Sequence, residues 1–178
     1  VGANYLTAST DAFGDLVSAW AARGLIVPCT DRFHVADRDG LDGTSPGPVR
    51  YAAPGGLRGL VEDLAADLPV VIAPRAVEDV VRDGDIVLVD GERFDVAVLA
   101  MPGPQAADLL ADDDPAAEQL AWQEWSPALT LVAAYDERCW DEFDGIFVNE
   151  SPVLLFVADD GRRRGDGAPV LVAHAQAE

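Results

Sequence analysis

VVIAPRAVEDVVRDGDIVLVDGERFDVAVLAMP, residues 70–102, is the stretch that decides the fold. Val70-Val71-Ile72-Ala73 and Val96-Ala97-Val98-Leu99-Ala100 are continuous apolar runs of the kind found in strands buried on both faces. Between them, residues 77–81, 86–89 and the start of 93–100 are joined at Asp83-Gly84 and Asp90-Gly91. Asp-Gly between alternating apolar residues is a strong hairpin signal, because tight hairpin turns need residues that tolerate positive φ. The stretch predicts a β-meander leading into a buried strand that Pro102 ends.

Upstream, Thr10 reads as a helix N-cap and Asp11 favours the positive end of the helix dipole. Phe13, Leu16, Val17, Trp20 and Ala21 follow at helical spacing, and Gly24 supplies the stop. Residues 2–9 read as a strand or extended segment, and 25–27 and 33–35 as short strands. Residues 37–48 carry Gly and Pro at a density that predicts a loop. A short strand at 49–52 precedes Pro54-Gly55-Gly56, which opens a second helix with Leu57, Leu60, Val61, Leu64 and Leu68 on its apolar face.

Downstream, helices are expected over 104–111 and 115–125, and strands over 128–135, 145–149, 153–158 and 170–175. The Arg162-Arg163-Arg164-Gly165 turn joins the last two strands. The pattern is α+β: an antiparallel sheet carrying helices, with a β-meander in the middle.

The chain has 178 residues, 49% of them hydrophobic and 25% charged, a globular composition able to bury a core without staples. It begins at Val1 and stops just after an expected strand, so both ends are expected to lie inside a longer protein. Thirty-two acidic residues face 12 cations, a formal net charge of −20. Such a field opposes nucleic acid and anionic membranes. Every cation is arginine, which excludes Schiff-base catalysis and a phosphate-loop lysine. Cys29 and Cys139 form no CxxC pattern, no apolar stretch is long enough to span a bilayer, and a cytoplasmic location is expected.

Each candidate site has a plainer reading beside it. Gly55-Gly56-Leu57-Arg58-Gly59 lies before a helix, where backbone amides can hold a phosphate. Its spacing is GGxxG, however, and no GxGxxG occurs in the chain. Cys29, Asp31 and His34 lack a second pair at metal spacing, so no metal is expected. His174 sits in an apolar strand and reads as a hydrogen-bonded residue rather than a base. Ser126 and Ser151 have no nucleophile context. Asp112-Asp113-Asp114 and Asp159-Asp160 read as solvated loop charge, and Arg162-Arg163-Arg164 as a solvated hairpin tip that could instead hold an anion. These readings name no reaction, and the catalytic residues are unknown.

The order of several segments resembles the renalase-like group of FAD-dependent amine oxidases. Gly2-Ala3-Asn4-Tyr5-Leu6-Thr7-Ala8 is similar to that group's Gly-Ala-Gln-Tyr-Phe-Thr segment, and Pro54-Gly55-Gly56-Leu57 to its Pro-Gly-Met turn. Pro74-Arg75-Ala76-Val77-Glu78-Asp79-Val80 resembles the strand whose valine meets the FAD adenine through its backbone. The run from Phe94 to Gln105 resembles the returning strand with its Ala-x-Pro-x-Pro-Gln ending, and Phe143–Asn149 and His174-Ala175 match in order. Leu6, Gly56 and Leu154-Leu155-Phe156 depart from the group's aromatic, Met and Trp.

The resemblance implies an internal piece of an FAD-dependent oxidoreductase, with FAD a cofactor of the parent protein and absent from this chain alone. It implies substrate-domain segments at 1–50 and 106–178, and a partial FAD-binding segment with the meander at 51–105. Cofactor contacts are implied at Gly2, Ala3, Tyr5, Val77, Ala100 and Pro102. Tyr5, Trp122, Trp125, Phe147 and Phe156 are candidates to line a pocket, although most are expected to pack in the core. The partner is a small molecule, an amine or a dihydronicotinamide; the oligomeric state is left open. A non-catalytic binding module on the same fold is the competing reading.

Overall fold

The computed structural model describes residues 3–70 and 73–176. They form two compact units, one of residues 3–70 and 127–176 and the other of residues 73–126.

The first unit is built on a six-stranded sheet in the order β2-β1-β7-β8-β9-β6. Its strands are β1 (Val27–Asp37), β2 (Gly40–Ala52), β6 (Ala128–Ala134), β7 (Gly145–Val148), β8 (Leu154–Asp159) and β9 (Val170–Gln176). β1 and β7 run parallel and the other neighbours antiparallel, so the sheet is mixed. Helices α1 (Asp11–Ala22) and α2 (Arg58–Ala65) belong to this unit, as does the single turn of α5 (Asp160–Arg164).

α1 begins where expected, with the Thr10 hydroxyl accepting from the Phe13 amide, and Gly24 follows it at φ +74°. Val17 and Trp20 bury against Ile26, Ala53 and Leu60 to form one core. The Trp20 indole also donates to Asp63 at 2.9 Å, and Asp63 pairs with Arg23, so one carboxylate ties α1 to α2. The Arg23 bond, with the indole, holds the Asp63 carboxyl below its ordinary range. A second core joins Phe33, Phe156 and Ala158, with Tyr5 and Phe147 against it. Gly145 leaves room for it: a Cβ there would lie 2.7 Å from the Phe156 ring.

The loop expected at 37–48 is instead most of a strand. β2 pairs with β1 from Gly40 to Ala52, and the strands expected at 25–27 and 33–35 merge into β1. An edge strand needs hydrogen bonds on one side only, so Pro46 and Pro48 are tolerated there. Register shifts in the β1–β2 ladder absorb the irregularity. On α2 only Leu60 is buried; Val61 and Leu64, like Leu68 beyond the helix, are exposed.

The second unit carries the meander: β3 (Val80–Asp83), β4 (Ile86–Val89) and β5 (Glu92–Phe94), in sequential antiparallel order. Asp90 and Gly91, at φ +50° and +79°, make the expected two-residue turn between β4 and β5. Two short helices follow, α3 (Gly103–Ala107) and α4 (Pro115–Ala121).

The buried strand expected at 96–100 does not form. No described strand lies beside it to complete a ladder, and Val96 and Val98 are 73% and 82% exposed. Residues 77–79 likewise precede β3 rather than belong to it. In the run 70–73, Val71 and Ile72 lie outside the described residues, as does the expected cofactor contact Gly2. The fold is nevertheless α+β, with a mixed sheet carrying helices and a separate meander.

Candidate functional site

The segment Ala3–Leu6 is stitched to the first unit's sheet. Leu6 exchanges backbone hydrogen bonds with Tyr51 at 3.0 and 2.9 Å. Asn4 is buried; its amide nitrogen lies 2.7 Å from Nε2 of His174, whose Nδ1 lies 3.1 Å from the Thr130 hydroxyl. With the amide donating, Nε2 is an acceptor and Nδ1 carries the proton. His174 also stacks on Phe156, so both of its nitrogens and one ring face are engaged. It is a hydrogen-bonded strand residue, as its apolar surroundings suggested.

A cavity of about 460 Å³ opens beside this segment, lined by Ala3, Asn4, Gly56, Leu57, Arg58 and Arg163 among others. It brings together parts of three features read separately in the sequence: Ala3 and Asn4, the Gly-rich turn and Arg163 of the arginine cluster. Gly56 takes φ +86°, which lets the chain turn into α2. No side chain caps that helix start, so its first amides face no internal acceptor side chain. Arg163 donates to the Asn4 carbonyl at 3.1 Å and pairs with Asp160. Arg58 is exposed and paired with Glu62.

The arginine cluster is not a solvated hairpin tip, because the acidic residues around it take it up. Residues 160–164 form α5, closed by Gly165 at φ +77°. Arg162 bridges Asp144 at 2.8 Å and Glu142 at 2.9 Å, and Arg164 bridges Asp160 and Asp166. Asp159 and Asp160 are not solvated loop charge either. Asp159 is fully buried and accepts from Arg138, from the Trp140 indole at 3.0 Å and from the Arg162 amide at 3.0 Å. Its partners satisfy the carboxylate, which makes it a structural anchor.

Tyr5 turns toward Phe33 at 5.2 Å between ring centroids, and Phe33 also packs on Phe147 and Phe156. The core reading of Tyr5, Phe147 and Phe156 is the one their packing supports. Cys29 lies 3.7 Å from Asp144, and burial beside that carboxylate pushes its thiol up to about 11. A thiol so shifted is protonated at neutral pH and a poor nucleophile. Among the described residues no cluster of three ligand-type side chains could hold a metal.

In the second unit, Val77 is half-buried, while Ala100 and Pro102 are exposed and Pro102 precedes α3 as its N-cap. The Asp90 carboxylate accepts from the Glu78 and Asp79 amides at 2.8 and 3.1 Å. It clamps the chain just after Val77 to the β4–β5 turn, and these amides hold its carboxyl below the ordinary range. Sequence reading missed this role, since Asp90-Gly91 is a complete turn signal without it. Asn4 was missed too, its partner being 170 residues away.

A second cavity of about 460 Å³ is lined by Val80, Val87, Leu99, Met101, Leu120 and Trp125 among others. Trp125 thus borders a pocket, whereas Trp122 is exposed. Asp112 and Asp113 are exposed, while Asp114 is buried as the N-cap of α4. Among the described residues no helix is long and apolar enough to cross a membrane.

No protein-family model matches the chain. Among solved structures, it is similar to a candidate protoporphyrinogen oxidase from Exiguobacterium sp. 255-15, at 21% identity and a TM-score of 0.52. The match covers 71% of this chain and 31% of that one, so the chain spans about a third of its neighbour's length. The likeness is one of fold.

Proposed function

We propose that this chain supplies the substrate-side sheet and part of the nucleotide-side layer of a flavin-dependent oxidoreductase. One observation carries the reading. Ala3 and Asn4 and the Gly-rich turn, in segments matched in order to renalase-like proteins, converge on one cavity within a fold akin to a flavin oxidase's. On this reading residues 1–50 and 106–178 serve the substrate domain and 51–105 the cofactor domain.

The resemblance assigns flavin contacts to Gly2, Ala3 and Tyr5 and nucleotide contacts to Val77, Ala100 and Pro102. Bound flavin would accept a hydride from an amine or dihydronicotinamide and pass the electrons to dioxygen. The chain's residues fit only part of that cofactor. The α2 start and Arg58 offer amides and charge, and Asp90 fixes the chain just after Val77. The pyrophosphate, however, needs a Gly-rich loop at a helix start, and the chain contains no GxGxxG. The chain alone therefore holds FAD weakly.

Titrating the purified chain with FAD and with riboflavin, followed by amide chemical shifts, tests the reading. Weak saturable shifts at Ala3–Tyr5 and Gly56–Arg58 support it. No shift with either flavin would favour the non-catalytic binding module, and a chain purified yellow with stoichiometric FAD would overturn the partial-site reading.

A further inference from the structure

Arg50, on β2, is 7% exposed, and in a chain this acidic it is the arginine most in need of a partner. Among the described residues ten of the twelve arginines stand within 4 Å of a carboxylate. The other two are Arg50 and the exposed Arg93. Asp31 feels Arg50 only through space and is itself bonded to Arg32.

The guanidinium of Arg50 lies 4.1 Å over the Phe33 ring and 5.5 Å from the centroid of Tyr5. Ring faces attract the cation but use none of its N–H donors. Its one hydrogen bond is long, from Nη1 to the Pro48 carbonyl at 3.4 Å. Nε is buried with no acceptor; Nη2 also lacks a protein partner, yet it is not a buried atom and so meets solvent. Nε and Nη2 form one edge of the guanidinium fork, and that edge has no hydrogen-bond partner among the described residues.

Gly47 lies over the outer end of the fork, where a Cβ would come within 2.9 Å of Nη2 and 3.4 Å of Nη1. The β1–β2 register shifts between Arg50 and Pro46, so the intervening residues leave the ladder above the guanidinium. A buried cation with an unfilled planar fork is a carboxylate acceptor, since the two geometries match in a bidentate pair.

We propose that Arg50 anchors a binding site for a small organic carboxylate, taken up on its Nε–Nη2 edge beside Tyr5 and Phe33. A monoanion is favoured over phosphate, because the surrounding net charge opposes each further negative charge. The proposal does not rest on the flavin reading, and its test uses no flavin.

The experiment is a titration of the full chain with benzoate, its neutral isostere benzamide and inorganic phosphate at matched ionic strength. The Arg50 Nε–H signal and the Tyr5 and Phe33 amides are followed. Saturable shifts with benzoate, none with benzamide and weaker ones with phosphate are expected. Arg50→Met, checked for an unchanged spectrum elsewhere, weakens benzoate roughly tenfold or more. Gly47→Ala, which keeps the charge but crowds the fork, weakens it as well. Absence of saturable benzoate shifts in the wild type, equal binding by Arg50→Met, or tighter binding of phosphate than benzoate would each overturn the proposal.

Discussion

The two units differ in whether their buried apolar residues gather into cores. In the first, Val17, Trp20, Ile26, Ala53 and Leu60 close one core and Phe33, Phe156 and Ala158 another. In the second, the buried hydrophobic residues among those described are Val80 and Ala106 and they form no such cluster; exposed apolar side chains occur in both units, Val96 and Val98 in the second and Leu129 and Leu131 in the first. A meander of short strands is locally well specified by its turns, yet turns bury little. The difference shows that local hairpin chemistry and core formation are separate requirements, and that only the first unit meets both.

The largest effect is expected at Asp159. Replacing it with Ala leaves Arg138 without its carboxylate and removes the α5 cap, a loss of about 3–5 kcal/mol. Chemical denaturation of the two proteins measures it. Next, Ile26→Ala opens the first core and costs about 2–5 kcal/mol, whereas Val98→Thr changes stability by no more than about 0.5 kcal/mol. Similar losses for Ile26→Ala and Val98→Thr in thermal melts would erase the contrast between the units.

The smallest effect concerns Asp90. Its folded carboxyl titrates below the unfolded value of about 4 because two amides bond to the charged form. The stabilisation it brings is therefore complete above that unfolded value and is lost as pH falls through the folded one. The Glu78 and Asp79 amide signals should move only below about pH 4. In Asp90→Asn that movement should disappear.

Much of the first unit was legible because its signals are local. Thr10, the spacing from Phe13 to Ala21 and Gly24 specify α1 by contacts within a few residues. Strands β6 to β9 follow from their apolar runs. β2 was not legible, since Gly and Pro between 40 and 48 argue against a strand unless it lies at a sheet edge, which is a tertiary fact. Composition at 96–100 reports how apolar the segment is and not whether a neighbouring strand is there to pair with it.

The site was less legible than the fold. Ala3, Tyr5 and the Gly-rich turn were picked out by resemblance, yet the residues that hold them depend on distant partners. Asn4 meets His174, and Asp159 meets Arg138, across sequence separations that no spacing rule reaches. Arg50 gave no signal, because one arginine in the short strand expected at 49–52 carries no motif. Burial without a nearby carboxylate among the described residues sets it apart.

Hydrogen exchange resolved by residue tests the contrast between the units most directly. Strands β8 and β9 should exchange only through global opening, and the amides at 96–100 should exchange near the unprotected rate. Protection at 96–100 equal to that of β8 and β9 would contradict it, because those residues would then have hydrogen-bond partners that the fold described here does not give them.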